Sequence, residues 1–275
     1  LQPLAQLITK GNGPGEMFSC ALGLHSNASD NFYLQDSNSK TCYIVDLKTL
    51  LNSRRFVPDE QFRYSSEVLP TSDLCLLDDN RYIGYHMWYL DDKQFSKVDS
   101  PLGYYQKGED SGKGMDDFPF FVASVNGARL FKNPQTQELW TADMHRDAIR
   151  IYNDSLKQIR ELVGPDHFSP EYTRRQIDAP VAFVTFADEC DYQAYTDYYI
   201  TDKHIYLLYE GNKHFDMKNL SPVEIFKLDF DGNLLCNYKP DRYVYSISIN
   251  RKEDTLYCAS RSSVMEPPVI LKYKL

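Results

Sequence analysis

The chain has 275 residues, 42% of them hydrophobic and 25% charged, with a formal net charge of −9 and a pI of about 5.2. That length and apolar content suffice for a sizeable core, and the acidic balance repels phosphate backbones, which excludes nucleic acid as an expected partner. No apolar run approaches the ~18 residues of a membrane-spanning helix, and Arg54-Arg55 and Arg174-Arg175 read as solvated pairs rather than a basic patch.

Near the start, Gly11-Asn12-Gly13-Pro14-Gly15 precedes Glu16. Three glycines and a proline cannot sit inside a helix or a central strand, so this is a forced turn. Phosphate cradling is excluded there, because no Lys-Ser/Thr follows and no helical pattern begins. Strands are expected at Asn31–Asp36 and Thr41–Asp46, then one helical turn over 46–52. Arg81–Tyr89, Phe95–Asp99 and Leu102–Gln106 form the next strand group, and Lys107–Phe118 reads as an exposed loop. Glu138–Asp143, Ala148–Asn153 and Leu156–Val163 follow. Ser169-Pro170 is an N-cap followed by a helix-starting proline, which predicts a short helix over Glu171–Gln176. Pro180–Tyr195 reads as a degenerate unit or an insertion. Its lack of paired hairpins favours the insertion. His204–Glu210, Val223–Phe230 and Asn233–Tyr238 come next, the last two joined by an Asp231-Gly232 hairpin turn. Tyr243–Asn250, Thr255–Ser260 and Val269–Leu275 close the chain, the first of them with period-2 alternation.

These runs make five countable units. Asp46, Asp99, Asn153 and Asp229 end the penultimate strand of four of them at near-equal steps, apart from a longer last one. A repeat of this length with several antiparallel strands predicts an all-β chain: one β-propeller domain over 1–275 with four-stranded antiparallel blades. Five blades are expected, or six if the 180–195 region forms a degenerate blade. The last unit shows only three strands, so Leu4–Ile8 is expected to pair with Val269–Leu275 and close the ring.

Three stretches also resemble a known family. Gly11-Asn12-Gly13-Pro14-Gly15-Glu16-Met17 is similar to the G-x-G-P-G-E element near the start of the TolB-like propeller lipoproteins of the bacterial envelope. Tyr198–Gly211 resembles their late-blade motif, and Phe226–Asn233 their hairpin. The resemblance implies a propeller, usually six-bladed, in the periplasm or on the outer membrane. Membrane attachment would then run only through a lipid anchor on a trimmed N-terminus, and no agreed activity comes with the family.

The chemistry-bearing residues are scattered. None of the six cysteines shows metal-site spacing, and most sit in strand-like runs as buried thiols, with one or two disulfides as the alternative. Acidic pairs are common, and the 109–117 loop comes nearest to a Ca²⁺ loop, but its ligands are poorly spaced. Asp36, Asp143, Asp188, Glu189 and Glu210 lie near strand ends, where a carboxylate pair could serve glycoside hydrolysis. No zinc helix, G-x-S-x-G elbow or Walker loop is present. The tyrosines at 192, 195, 198, 199, 206 and 209 read as strand packing, with a sugar or peptide platform as the alternative. Asp143, His145 and Arg146, in an interstrand turn that mixes acceptor, donor and cation, are the candidate binding residues. No catalytic residue, metal or cofactor is assigned. The resulting reading is a monomeric, non-enzymatic envelope module that binds a protein or glycan. The alternative is a Ca²⁺-dependent or carboxylate-based hydrolase or lyase of lactonase or glycosidase type, with its site at the propeller axis.

Overall fold

A computed structural model describes residues 8–11, 13, 16–17, 20–25, 31–53, 56–70, 72–77, 80–90, 98–110, 120–121, 125–178, 181–187, 191–213, 220–261 and 267–275. Strands β1 (Thr9–Lys10) and β2 (Glu16–Met17) pair in parallel around the glycine-rich turn. The Gly13 N–H donates to Glu16 Oε2 at 2.8 Å. A Cβ on Gly11 would lie 2.0 Å from that same oxygen, so a side chain there would displace the Glu16 carboxylate from the Gly13 N–H.

The first large sheet runs β3 (Cys20–His25), β4 (Asn31–Asp36), β5 (Thr41–Asp46) and β6 (Glu60–Arg63), antiparallel and in chain order. The expected helical turn is α1 (Leu47–Ser53); the Asp46 carboxylate caps it by accepting the Thr49 N–H at 2.6 Å. The second sheet has β7 (Cys75–Leu76), β8 (Arg81–Tyr85) and β9 (Leu102–Gln106). After β10 (Phe120–Phe121), the third comprises β11 (Ala128–Lys132), β12 (Leu139–Asp143), β13 (Ala148–Tyr152) and β14 (Gln158–Val163). Then β15 (Tyr172–Asp178) and β16 (Val181–Phe186) form a hairpin, and β10 joins β16 in parallel. A further four-stranded sheet follows: β17 (Tyr192–Ile200), β18 (Ile205–Lys213), β19 (Glu224–Leu228) and β20 (Leu234–Tyr238). The last sheet is β21 (Val244–Ile249), β22 (Thr255–Ser260) and β23 (Val269–Lys274).

The last strand of a sheet is its most exposed. β12 and β13 are buried throughout, whereas β14 and β20 are largely exposed. Inner strands therefore carry apolar residues on both faces, and outer strands keep a wet side. Apolar clusters lie between neighbouring sheets. Cys42 and Phe62 meet Leu74 and Tyr82; Ile83 and Tyr85 meet Leu130 and Tyr152. Phe131 and Trp140 meet Tyr198 and Leu207; Leu208 and Ile225 meet Ile247 and Leu256. In the same order β7 packs on β11, β11 on β17 and β17 on β21. The β10-β16-β15 sheet stands outside this succession, with its own cluster of Leu90, Val125 and Val184. The chain leaves for it after Phe168 and returns at Tyr192, and those two rings stack with centroids 4.5 Å apart.

The hairpin turns share one device. Asn133, Asn153, Asp229 and Asn250 accept backbone N–H groups two to five residues on. A residue of positive φ follows each, at Gln137, Leu156, Gly232 and Glu253. Asp229 and Asn153 thus end penultimate strands as the repeat requires, but Asp99 lies in a bend, so Phe95–Asp99 is not a strand at its described end. Residues 91–97 lie outside the described residues.

Three further expectations change. Glu171–Gln176 is not a helix. Tyr172–Asp178 is strand β15, because Val181–Phe186, rich in Val and Phe, offers a partner whose ladder outweighs a local capping signal. The 180–195 region therefore does contain half of a hairpin. The large sheets have three or four strands rather than four throughout. Leu4–Leu7 lie outside the described residues; Ile8 packs against Met17, Leu34 and Val45, and β23 pairs with β22.

Candidate functional site

The Asp143–Asp147 loop joins β12 to β13. The register Ala148↔Val163 places the end of β14 beside it, and Tyr192, which begins β17, faces it. The three nominated residues share this loop but split between two partners. Asp143 is 3% exposed, and its Oδ2 receives Arg146 Nη1 at 2.9 Å with Arg150 Nη1 3.6 Å away. Arg150 also donates to Glu161 from Nε at 3.3 Å. His145 turns the other way. Its Nδ1 donates to the Tyr192 carbonyl at 3.0 Å and lies 3.4 Å from Asp191 Oδ1. Its ring packs 4.6 Å from that of Phe186, on the inserted sheet.

The residue that organises this end is Asp147, the last of the loop. Its Oδ2 accepts the N–H groups of Asp166 and His167 at 2.6 and 2.8 Å, and its Oδ1 accepts the Tyr195 hydroxyl at 3.1 Å. Asp166 in turn accepts the Tyr209 hydroxyl at 2.7 Å. Burial, then the charge of Asp147, drives the Tyr195 phenol far above its ordinary range, so it stays a donor. His167 takes positive φ to present its N–H, and Gly164 leaves room for the carboxylate. In the sequence Asp147 looks like one more acid in a polar turn; only its alignment with a segment twenty residues later reveals its role.

Two other ionic groups lie on inner strands. Arg129 on β11 reaches Asp73, just before β7, at 3.4 Å. Burial pushes the Asp73 carboxyl up to about 6 against the pull of Arg129, and the Asp197 charge adds to the rise. Asp197 also accepts the Ile247 N–H at 2.8 Å, linking β17 to β21. Glu210, at the loop end of β18, accepts the Tyr243 hydroxyl at 3.2 Å. Burial raises its pKa, with Thr196, Tyr243 and Arg261 pulling the other way.

Of the remaining nominated carboxylates, Asp36 caps its own hairpin by accepting Asn38 N–H and Ser39 hydroxyl. Asp188 and Glu189 lie outside the described residues. Asp110 accepts the N–H and hydroxyl of Ser66, while 111–119 lie outside the described residues. Among the described residues no group of three His, Cys, Asp or Glu side chains converges as a metal would need. Cys42, Cys75 and Cys258 are buried free thiols raised to about 12, 11 and 12 by desolvation. Tyr195, Tyr198, Tyr206 and Tyr209 are buried in the strand cores.

Small antiparallel sheets that pack face to face in chain order, exposed at their outer edges, define the class of the β-propellers. The chain belongs to the TolB-like, 6-blade propeller-like family, whose pattern matches residues 1–252. It is similar in fold to a member of the DUF4221 family from Bacteroides vulgatus, with 9% identity over 98% of this chain and 82% of that one, at a TM-score of 0.54. BamB from Moraxella catarrhalis is 12% identical over 94% of this chain and 74% of that one, at a TM-score of 0.36. Virginiamycin B lyase from Staphylococcus aureus is 10% identical over 93% and 69%, at 0.39. At these identities the likeness is one of fold alone, and no curated protein matches the chain. Among the described residues no helix is long and apolar enough to cross a membrane.

Proposed function

We propose that this chain is a five-bladed propeller of the bacterial cell envelope that binds a protein or glycan, without catalysis, at the end carrying the Asp143–Asp147 loop. Five blades are supported by the four intersheet cores in chain order and by the stacked rings of Phe168 and Tyr192, a contact that favours an excursion over a blade between them. The envelope location rests on the family's kinship. It is checked by osmotic-shock fractionation, in which recovery with cytoplasmic markers would refute it.

The observation that carries the binding reading is that fixed cations and donors already hold both of the loop's carboxylates. Asp143 is clasped by two arginines, and Asp147 accepts three fixed donors. Such groups hold a loop rigid. His145 Nε2 is left as the group that can meet a ligand: among the described residues it makes no hydrogen bond. The test is titration of the full chain with soluble peptidoglycan fragments and a panel of envelope oligosaccharides and peptides, read by heteronuclear NMR. Shifts should centre on His145, and H145A should weaken binding about fivefold without changing the melting temperature. Enzymatic turnover of lactones or glycosides that D143N or E210Q abolishes would overturn the reading.

A further inference from the structure

A cleft of about 390 Å³ opens on the flank between the third sheet and the sheet that begins with β17, within the size range of small-molecule sites. Tyr195 and His167, which Asp147 holds, line one end of it, and His145 is not among its lining. Ile149 and Leu162 line one side, and Phe226 and Leu228 the other. Leu234, 59% exposed, forms an apolar wall facing water. The two ends differ in chemistry. The lower end is shut where Arg160 Nη1 donates to the Asp231 carbonyl at 2.7 Å and where Gly232 lies so close that a Cβ would sit 2.6 Å from Leu162.

The upper end is acidic. Glu224 lines it, held by Asn237 Nδ2 and by Lys239 Nζ at 2.7 Å. Desolvation of Glu224 is outweighed by these two partners, which hold its carboxyl below the usual range and keep it ionised. The Tyr195 hydroxyl at the same end carries the Asp147 carboxylate behind it, and the Asp166 carboxylate lies behind Tyr209, whose ring stacks on Phe226 at 5.1 Å. The Glu224–Lys239 ion pair is balanced in itself, and beyond it the two carboxylates of Asp147 and Asp166 outnumber the one imidazole of His167. A greasy trough with aromatic walls and one negative end selects an apolar body bearing a positive head.

We propose that this cleft binds a small amphiphilic amine, its apolar body lying between Leu162 and Phe226 and its ammonium held at the Glu224 end. The probes are decyltrimethylammonium and decyl sulfate, each below its micellar concentration, titrated calorimetrically into the full chain. The ammonium should bind saturably at one site, and the sulfate at least about fivefold more weakly, the effect expected of one or two partly screened charges. E224Q should lose about fivefold in affinity for the ammonium while leaving the weak sulfate binding unchanged or improved. L234K, at an exposed position that folding does not need, should lose a similar factor, and H145A none. Equal binding of the two probes, binding that never saturates, absence of binding, or indifference to E224Q and L234K would each overturn the proposal. None of these outcomes bears on the His145 loop.

Discussion

Asp147 and Gly164 show how much one position can depend on another. A Cβ on Gly164 would fall 1.8 Å from Asp147 Oδ1 and 2.6 Å from the Tyr195 hydroxyl. G164A must therefore displace a buried carboxylate from its donors, and we expect it to cost about 2–3 kcal/mol in urea unfolding and to shift the NMR signals of the Asp166 and His167 amides. Asp73 gives a pH signature. Its folded pKa of about 6 lies above the ordinary 3.8, so its contribution to stability is fully present below about pH 4 and is lost as pH rises through 6. Unfolding midpoints between pH 4 and 7 should show a decline of up to about 3 kcal/mol from this group, and that slope should vanish in D73N. An unchanged slope would place the titration elsewhere. Neither residue stands out in the sequence, where one is a small residue in a loop and the other an acid beside a serine.

At the scale of elements, the turns were the most legible feature. Asx side chains and the residues after them fix hairpins through contacts of two to five residues, so local sequence suffices. The device carries a cost at Gln137, a non-glycine at φ 63° on an exposed turn. Q137G should relieve it and raise stability by about 1 kcal/mol, a gain measurable as a shift in the chemical denaturation midpoint. Strands such as β5, β19 and β22 were legible too, as apolar runs bounded by turns, and β22 alternates between buried and half-buried residues. β11 and β17 were not anticipated as the first strands of their sheets. They are buried by neighbouring sheets, so their pattern reflects residues far along the chain. The segment after Ser169-Pro170 failed for the opposite reason: a clear local helix signal yielded to a ladder with β16.

At the scale of the whole molecule, the proposed five-blade reading treats the β10-β16-β15 sheet as an addition to the ring. Because β11 packs directly on β17 and Phe168 stacks on Tyr192, replacing 170–190 by a short Gly-Ser linker should leave the propeller folded. Its loss should strip the cover from Leu90 and Val125 and lower the melting temperature by a few degrees. Collapse of the far-UV β signal and of cooperative unfolding would make that sheet a true blade. The deletion also removes Phe186 from the ring of His145, so a ligand that contacts the inserted sheet would lose affinity alongside.

The residue string by itself determined the strand-and-turn rhythm, the all-β class, the family and the loop that carries Asp143, His145 and Arg146. Each of these is written in neighbours along the chain or in short motifs. Tertiary structure decided which sheets face one another, that Asp147 rather than Asp143 anchors the loop end, and that an apolar cleft with an acidic end opens between two sheets. Burial and convergence are relations between segments tens of residues apart, and linear spacing holds no record of the distance across which a carboxylate meets its donors.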